Sequence, residues 1–169
     1  MTEGALAFSA PDPSRGLAML ATALGPQVMA ALDAPDTIEV MANPDGRVWI
    51  ERHGLGRGPL DLTLAPAHVE RVIRLVATLT GAEAHRERPI VSAELPPMTN
   101  GQGGERFEGV LPPVSRAPCF SIRKPAQVLF RLADYVAAGM MSAGHKSALE
   151  DAIREHANIL IAGGTGSNK

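Results

Sequence analysis

Thr37-Ile38-Glu39-Val40-Met41-Ala42-Asn43-Pro44-Asp45-Gly46-Arg47-Val48-Trp49-Ile50 is the stretch that decides the fold class. Ile38 and Val40 alternate with Glu39, and Val48 and Ile50 alternate with Arg47, Trp49 and Glu51. A period of two is the mark of a half-buried strand. Between the two runs, Asn43-Pro44-Asp45-Gly46 suits a type I turn, with glycine taking the positive φ. The stretch predicts a β-hairpin, and a hairpin with one apolar face must find something to pack on.

The flanking sequence supplies candidates. Upstream, Leu17, Leu20 and Leu24 share a helical face, and Val28, Met29 and Leu32 continue it after Gly25-Pro26, which should break or kink the helix. Residues 1–14 show no periodicity and read as a loose tail, without the basic-then-apolar pattern of a secretory leader. Downstream, the glycines of 54–58 predict a turn, and Leu60, Leu62 and Leu64 alternate with Asp61 and Thr63 as a third strand. Pro66 then opens the clearest amphipathic helix, with Val69, Val72, Ile73, Val76 and Leu79 on one side and Glu70, Arg71 and Arg74 on the other. Gly81 helps to end it. Three strands are predicted at 90–95, 106–111 and 120–124, with a flexible turn at 100–104 and prolines 112, 113 and 118 bounding the last. A helix follows over 127–138, with Val128, Leu132 and Val136 on a shared side.

Residues 139–144 form a short segment rich in small residues and flanked by helical patterns, a candidate domain boundary. Past them, 146–155 reads as an amphipathic helix with Leu149, Ala152 and Ile153 inward. Asn158-Ile159-Leu160-Ile161-Ala162 then has the unbroken apolar character of a strand buried in a parallel sheet. The expected organisation is a tail at 1–14, an α+β domain at 15–138, a linker at 139–144, and the start of a second domain at 145–169.

Composition narrows the function. The 169 residues are 45% apolar and 20% charged, which suits a soluble globular chain, and the net charge of -2 provides no strong field toward nucleic acid. One Trp, one Tyr and four Phe are too few for a single-strand-binding surface, so no direct nucleic-acid contact is expected. Trp49 reads as a packing residue. Cys119 is the single cysteine, which excludes an internal disulfide and suggests a small apolar residue at the start of a strand. No apolar run approaching a membrane span is apparent, so a cytoplasmic protein is expected, with membrane contact only through a partner. His53, His68, His85, His145 and His156 have no metal-ligand spacing and read as surface or helix-cap residues. Glu94, Glu105 and Glu108 lack a partner motif that would make any of them a general base.

The strongest chemical signal is Gly163-Gly164-Thr165-Gly166-Ser167-Asn168-Lys169. A phosphate-binding loop runs Gly, four residues, Gly, Lys, then Ser or Thr. Small residues let the backbone wrap a phosphate, whose charge is then met by successive N–H groups, and the lysine adds a point charge. Asn168 stands where the second glycine belongs, and no hydroxyl residue follows Lys169. A glycine-rich tail is the plain reading of the heptapeptide alone. The helix and apolar strand before it shift the balance, because strand-then-glycine-loop is the setting the motif requires.

Three segments extend the argument. Asp36 to Trp49 resembles the first hairpin of the TrbB-like conjugal transfer ATPases. Gly104-Glu105-Arg106-Phe107-Glu108-Gly109-Val110-Leu111-Pro112-Pro113-Val114 and Phe120-Ser121-Ile122-Arg123-Lys124-Pro125 resemble later parts of the same family, in the family's order. The resemblance covers about 15–169. It implies an N-terminal α+β domain, an antiparallel sheet with packed helices, followed by the first helix and strand of a RecA-like P-loop core. It implies a hexameric ring that works with inner-membrane secretion or mating-pair components, binds ATP and Mg²⁺ between its two domains, and energises conjugative transfer. Gly163, Gly164, Thr165, Gly166, Ser167, Asn168 and Lys169 would form the phosphate loop, and Arg106 and Arg123 match the family's N-terminal arginines that reach the phosphates. Arg116 and Lys124 are near enough in sequence to be confused with them. For an arbitrary strand arginine, a solvated face or an ion pair with Glu105 or Glu108 is the plain alternative. The family's Walker B acid, its water-activating glutamate and its histidine box lie beyond position 169, so no hydrolysis is expected of this chain alone. A non-catalytic assembly or oligomerisation module is the alternative from another class.

Overall fold

A computed structural model describes residues 13–96, 104–125 and 130–164, and the chain divides into two compact units, Met1–Gln127 and Val128–Lys169. The predicted turn at 100–104 falls almost wholly outside the described residues, as do most of the predicted tail, residues 126–129, and Thr165, Gly166, Ser167, Asn168 and Lys169.

In the first unit, α1 spans Pro13–Asp33 and is two helical segments meeting at Gly25 (φ 79°, ψ 165°), immediately before Pro26. Leu20, Leu24, Val28 and Leu32 keep the i, i+4 spacing across the break, and all are buried. Each such burial contributes about 1.5–3 kcal/mol. Contrary to the sequence expectation, Ser14–Asp33 is long and apolar enough to cross a membrane by length and composition. The Gly25-Pro26 pair masks this in the sequence by dividing the run in two. The apolar stripe is used against the sheet.

The hairpin forms as predicted from β1 (Thr37–Ala42) and β2 (Arg47–Arg52). Gly46 N–H donates to the Asn43 carbonyl at 2.8 Å, and Gly46 has φ 82°. A Cβ there would lie 2.5 Å from the Leu64 carbonyl oxygen, so glycine is required by conformation and by space together. β3 (Gly56–Thr63) starts earlier than expected: the turn is confined to 53–55, and Gly58 already pairs with Ile50. Two glycines at positive φ, Gly54 and Gly56, tighten the connection.

Next comes α2 (Pro66–Thr80), with proline in its first turn and Gly81 as a left-handed C-cap. β4 (Ile90–Glu94), β5 (Arg106–Val110) and β6 (Cys119–Arg123) complete a six-stranded antiparallel sheet of order β3-β2-β1-β6-β5-β4. Two three-stranded meanders are thus joined through β1 and β6. Val40, Val48, Ile50, Val91, Phe107 and Ile122 are buried in one cluster with the apolar stripes of α1 and α2. Both helices therefore cover the same face, and the alternate strand residues point away from them. His68 is half-buried rather than at the surface: its Nε2 meets the Ala23 carbonyl and ties α2 to α1. Cys119 does open β6, half-buried, with its Sγ 3.7 Å from Ser115 Oγ.

The second unit holds α3 (Leu132–Ala137) and α4 (Ala143–Arg154). Ser142 caps α4 by accepting the His145 N–H at 3.1 Å. Ala143 and Gly144, expected in a linker, are helical. Neither helix buries a residue. Ile153, expected inward, is 58% exposed. The apolar run at 158–162 forms no strand, and Leu160 is 92% exposed. A parallel strand needs neighbours to satisfy its N–H and C=O groups, and the described residues of this unit offer no strand to pair with.

Candidate functional site

β5 and β6 run antiparallel in a register that sets Arg106 directly opposite Arg123. Both strands alternate: Phe107, Gly109, Phe120 and Ile122 are buried toward the helices, while Arg106 and Arg123 are exposed on the open face. Ser121 shares that face with Arg123, as the strand period predicted. Like charges directly opposite each other on a sheet are destabilising, by roughly 0.2–1 kcal/mol. Neither guanidinium forms an ion pair or a side-chain hydrogen bond with any described residue. The plain alternative, an ion pair with Glu108, does not occur among the described residues. Glu105 lies on the helix side of β5 and is buried, while Glu108 accepts a 2.5 Å hydrogen bond from Ser92 Oγ on the neighbouring strand.

The two arginines line an open cleft of about 510 Å³ with Ser92, Glu94, Gly104, Lys124 and Pro125. At Gly104 a Cβ would lie 2.0 Å from the Leu95 carbonyl oxygen. Only glycine lets the chain entering β5 lie this close to the end of β4. Lys124, a possible rival for the arginines, is directed elsewhere: it is buried, and its Nζ donates to the Ala34 carbonyl at 2.8 Å, just past the C-terminus of α1. A cation there complements the helix dipole. Arg116 lies in the β5–β6 connection, at the far end of the ladder from the cleft. The chemistry on offer is therefore two adjacent fixed positive charges, each with five donors, facing solvent. Such a pair suits a phosphate, which guanidinium forks bind bidentately.

Of the other predicted site residues, Gly163 and Gly164 are exposed and lie in the second unit. The rest of the loop lies outside the described residues. Among the described residues no group of three or more His, Cys, Asp or Glu could hold a metal ion. Sequence reading missed Ser92 and Glu94 as cleft residues. The period of two places Glu94 on a face, but which strand that face adjoins depends on register, which sequence does not specify.

No protein-family model matches the chain. Conjugal transfer protein TrbB of Rhizobium radiobacter is 46% identical over 151 residues, covering 89% of this chain and 45% of that protein. The probable conjugal transfer protein TrbB of Sinorhizobium fredii is 44% identical over 150 residues, covering 89% of this chain and 44% of that protein. In solved structures, the fold resembles the VirB11 ATPase of the Brucella suis type IV secretion system, determined in complex with sulphate. The TM-score is 0.63 at 23% identity, over 85% of this chain and 44% of that one. The chain spans less than half the length of the curated relatives it matches. Over that span its sequence is similar to the TrbB conjugal transfer proteins, and its mixed α+β fold resembles that of the matched part of the VirB11 ATPase.

Proposed function

We propose that the chain is the N-terminal part of a hexameric traffic ATPase that energises conjugative DNA transfer. In this reading Arg106 and Arg123 receive the phosphates of ATP, and Gly163, Gly164, Thr165, Gly166, Ser167, Asn168 and Lys169 wrap them from the other domain. The observation that carries the reading is the register of Arg106 against Arg123, with no carboxylate among the described residues ion-paired to either. A sheet that sets two guanidiniums side by side gains from an anion placed between them. The kinship to TrbB supports the conjugative role. Bound ATP would supply the phosphates that link the two domains, and Mg²⁺ would come with it. This chain's own contribution is to bind and orient the phosphate oxygens through guanidinium N–H groups. The protein would work in the cytoplasm, against inner-membrane secretion components.

Titrating the chain with Mg·ATP tests the site. Arg106→Ala and Arg123→Ala are each expected to weaken binding by about tenfold or more, the scale of a charge-assisted hydrogen bond. Unchanged affinity in both variants would discard the reading. No ATP turnover is expected from these 169 residues, because the resemblance assigns no position in them to the metal-holding acid or the water-activating glutamate. Turnover by clean protein, lost on Lys169→Ala, would overturn that expectation. Binding without turnover would also separate this reading from a purely structural assembly module.

A further inference from the structure

The arginine pair is the middle of a longer pattern. On the open face of the sheet, the ladder sets Glu94 of β4 opposite Arg106, Arg106 opposite Arg123, and Arg123 opposite Glu39 of β1. Glu39 in turn faces Glu51 of β2, and Glu51 faces Arg57 of β3. One row crosses all six strands and carries a charge at every position. At its β3 end the row closes on itself, because Arg57 Nη2 donates to Glu51 Oε2 at 2.9 Å. The other four, Glu94, Arg106, Arg123 and Glu39, form no ion pair within 4.0 Å and no side-chain hydrogen bond with described residues. Each arginine therefore has a like charge on one side and an opposite charge on the other, each one strand away. Strands are spaced about 4.8 Å apart, well inside the roughly 8 Å over which salt screens charge.

We infer that Glu94 and Glu39 are positioning residues that bracket the arginine pair. Resting on the phosphate-binding role proposed for the arginines, the inference adds what controls their grip. Without an anion, each carboxylate attracts the adjacent guanidinium outward, which separates the like charges and leaves the four-residue group neutral. An arriving phosphate draws both guanidiniums inward and must compete with the two carboxylates. The carboxylates thus stabilise the empty face and weaken the loaded one. A binding face of this kind releases its anion more readily than two bare arginines would, and it avoids leaving two unbalanced positive charges side by side when empty.

The two effects have opposite signs, which a purely structural role would not produce. In the chain without ligand, Glu94→Gln and Glu39→Gln should each lower the melting temperature by about 2 °C. The same variants should bind inorganic tripolyphosphate about two- to fivefold more tightly, the factor of one exposed ion pair. Glu94→Asp and Glu39→Asp, which keep the charge, should stay near the parent on both measurements. A double-mutant cycle of Glu94→Gln with Arg106→Ala, measured without ligand, should show favourable coupling. Absent coupling, or tripolyphosphate binding that is unchanged or weaker in both glutamine variants, would overturn the inference. The phosphate reading itself fails separately, if Arg106→Ala and Arg123→Ala leave ATP binding intact while the ligand-free coupling persists.

Discussion

α2 in the first unit and α4 in the second are both amphipathic as sequence, yet they end in different circumstances. Val69, Val72, Ile73, Val76 and Ala77 of α2 are buried, whereas no residue of α4 is. The same contrast holds for strands. Val40, Val48 and Ile122 alternate with more exposed residues of their strands and are buried. The more continuously apolar Ile159, Leu160 and Ile161 are 42%, 92% and 69% exposed. An apolar stripe is a demand for a complementary surface, and the stripe alone does not meet it. In the first unit six strands and two helices satisfy one another. Among the described residues of the second, two helices without a sheet leave the demand open.

The largest test of this contrast is a matched pair of truncations. Phe107 is fully buried and stacks on Phe120 at a centroid distance of 5.7 Å. Phe107→Ala should cost about 3–5 kcal/mol of stability in urea denaturation. Leu160→Ala, at a site 92% exposed, should change it by no more than about 0.5 kcal/mol. Comparable losses at the two sites would mean that the second unit has a core of its own.

A glycine pair asks the same question of the backbone. Gly46 and Gly139 both have positive φ, 82° and 70°. A Cβ on Gly46 would lie 2.5 Å from a backbone oxygen, whereas one on Gly139 would meet nothing within 4 Å. Gly139→Ala should therefore cost only the left-handed penalty of about 1–2 kcal/mol. Gly46→Ala should cost that and the displacement of the β3–α2 junction, about 3 kcal/mol or more. Equal costs would show that the hairpin yields more easily than its packing implies.

A smaller effect concerns how each helix begins. Without a buried face, α4 depends more on local chemistry, and Ser142 provides its N-cap. Ser142→Ala should cost about 1 kcal/mol and reduce helicity at residues 143–154 as read by amide exchange, leaving α2 unaltered. By contrast, α2 follows Ala65, which offers no side-chain cap, and is held by its packing. The smallest effect is at the hairpin turn. The Arg47 side chain beside Asp45, 2.7 Å from its Oδ2, and the Arg47 N–H hold the Asp45 carboxyl below its ordinary value of 3.8. A depressed carboxyl contributes stability above its unfolded pKa and loses it as pH falls through the folded one. Asp45→Asn should therefore leave a slightly flatter stability curve below about pH 4, with the difference vanishing in high salt.

Local chemistry is legible in the amino acids themselves. Asn43-Pro44-Asp45-Gly46 specifies its turn, Pro66 and Gly81 bound α2, and Gly25-Pro26 marks the break in α1, because each acts within a few residues of itself. Arg106 and Arg123 also stand out in the sequence, through a family resemblance, and the period of two puts Ser121 beside Arg123. What the sequence does not reveal is non-local. Its glycines suggest a turn over 54–58 where β3 already pairs, its histidine spacing suggests a surface role for the half-buried His68, and its apolar run suggests a strand at 158–162 that does not form.

By itself, then, the sequence determined the elements with their own start and stop signals and the α+β class, and it singled out the two arginines as candidates. Tertiary structure alone decided that β1 and β6 join two meanders into one sheet, and that Arg106 faces Arg123 with Glu94 and Glu39 on either side. The reason is physical. A turn or a cap is settled by sterics and hydrogen bonds over four or five residues. The pairing of strands about eighty residues apart is settled by which register buries every apolar face at once.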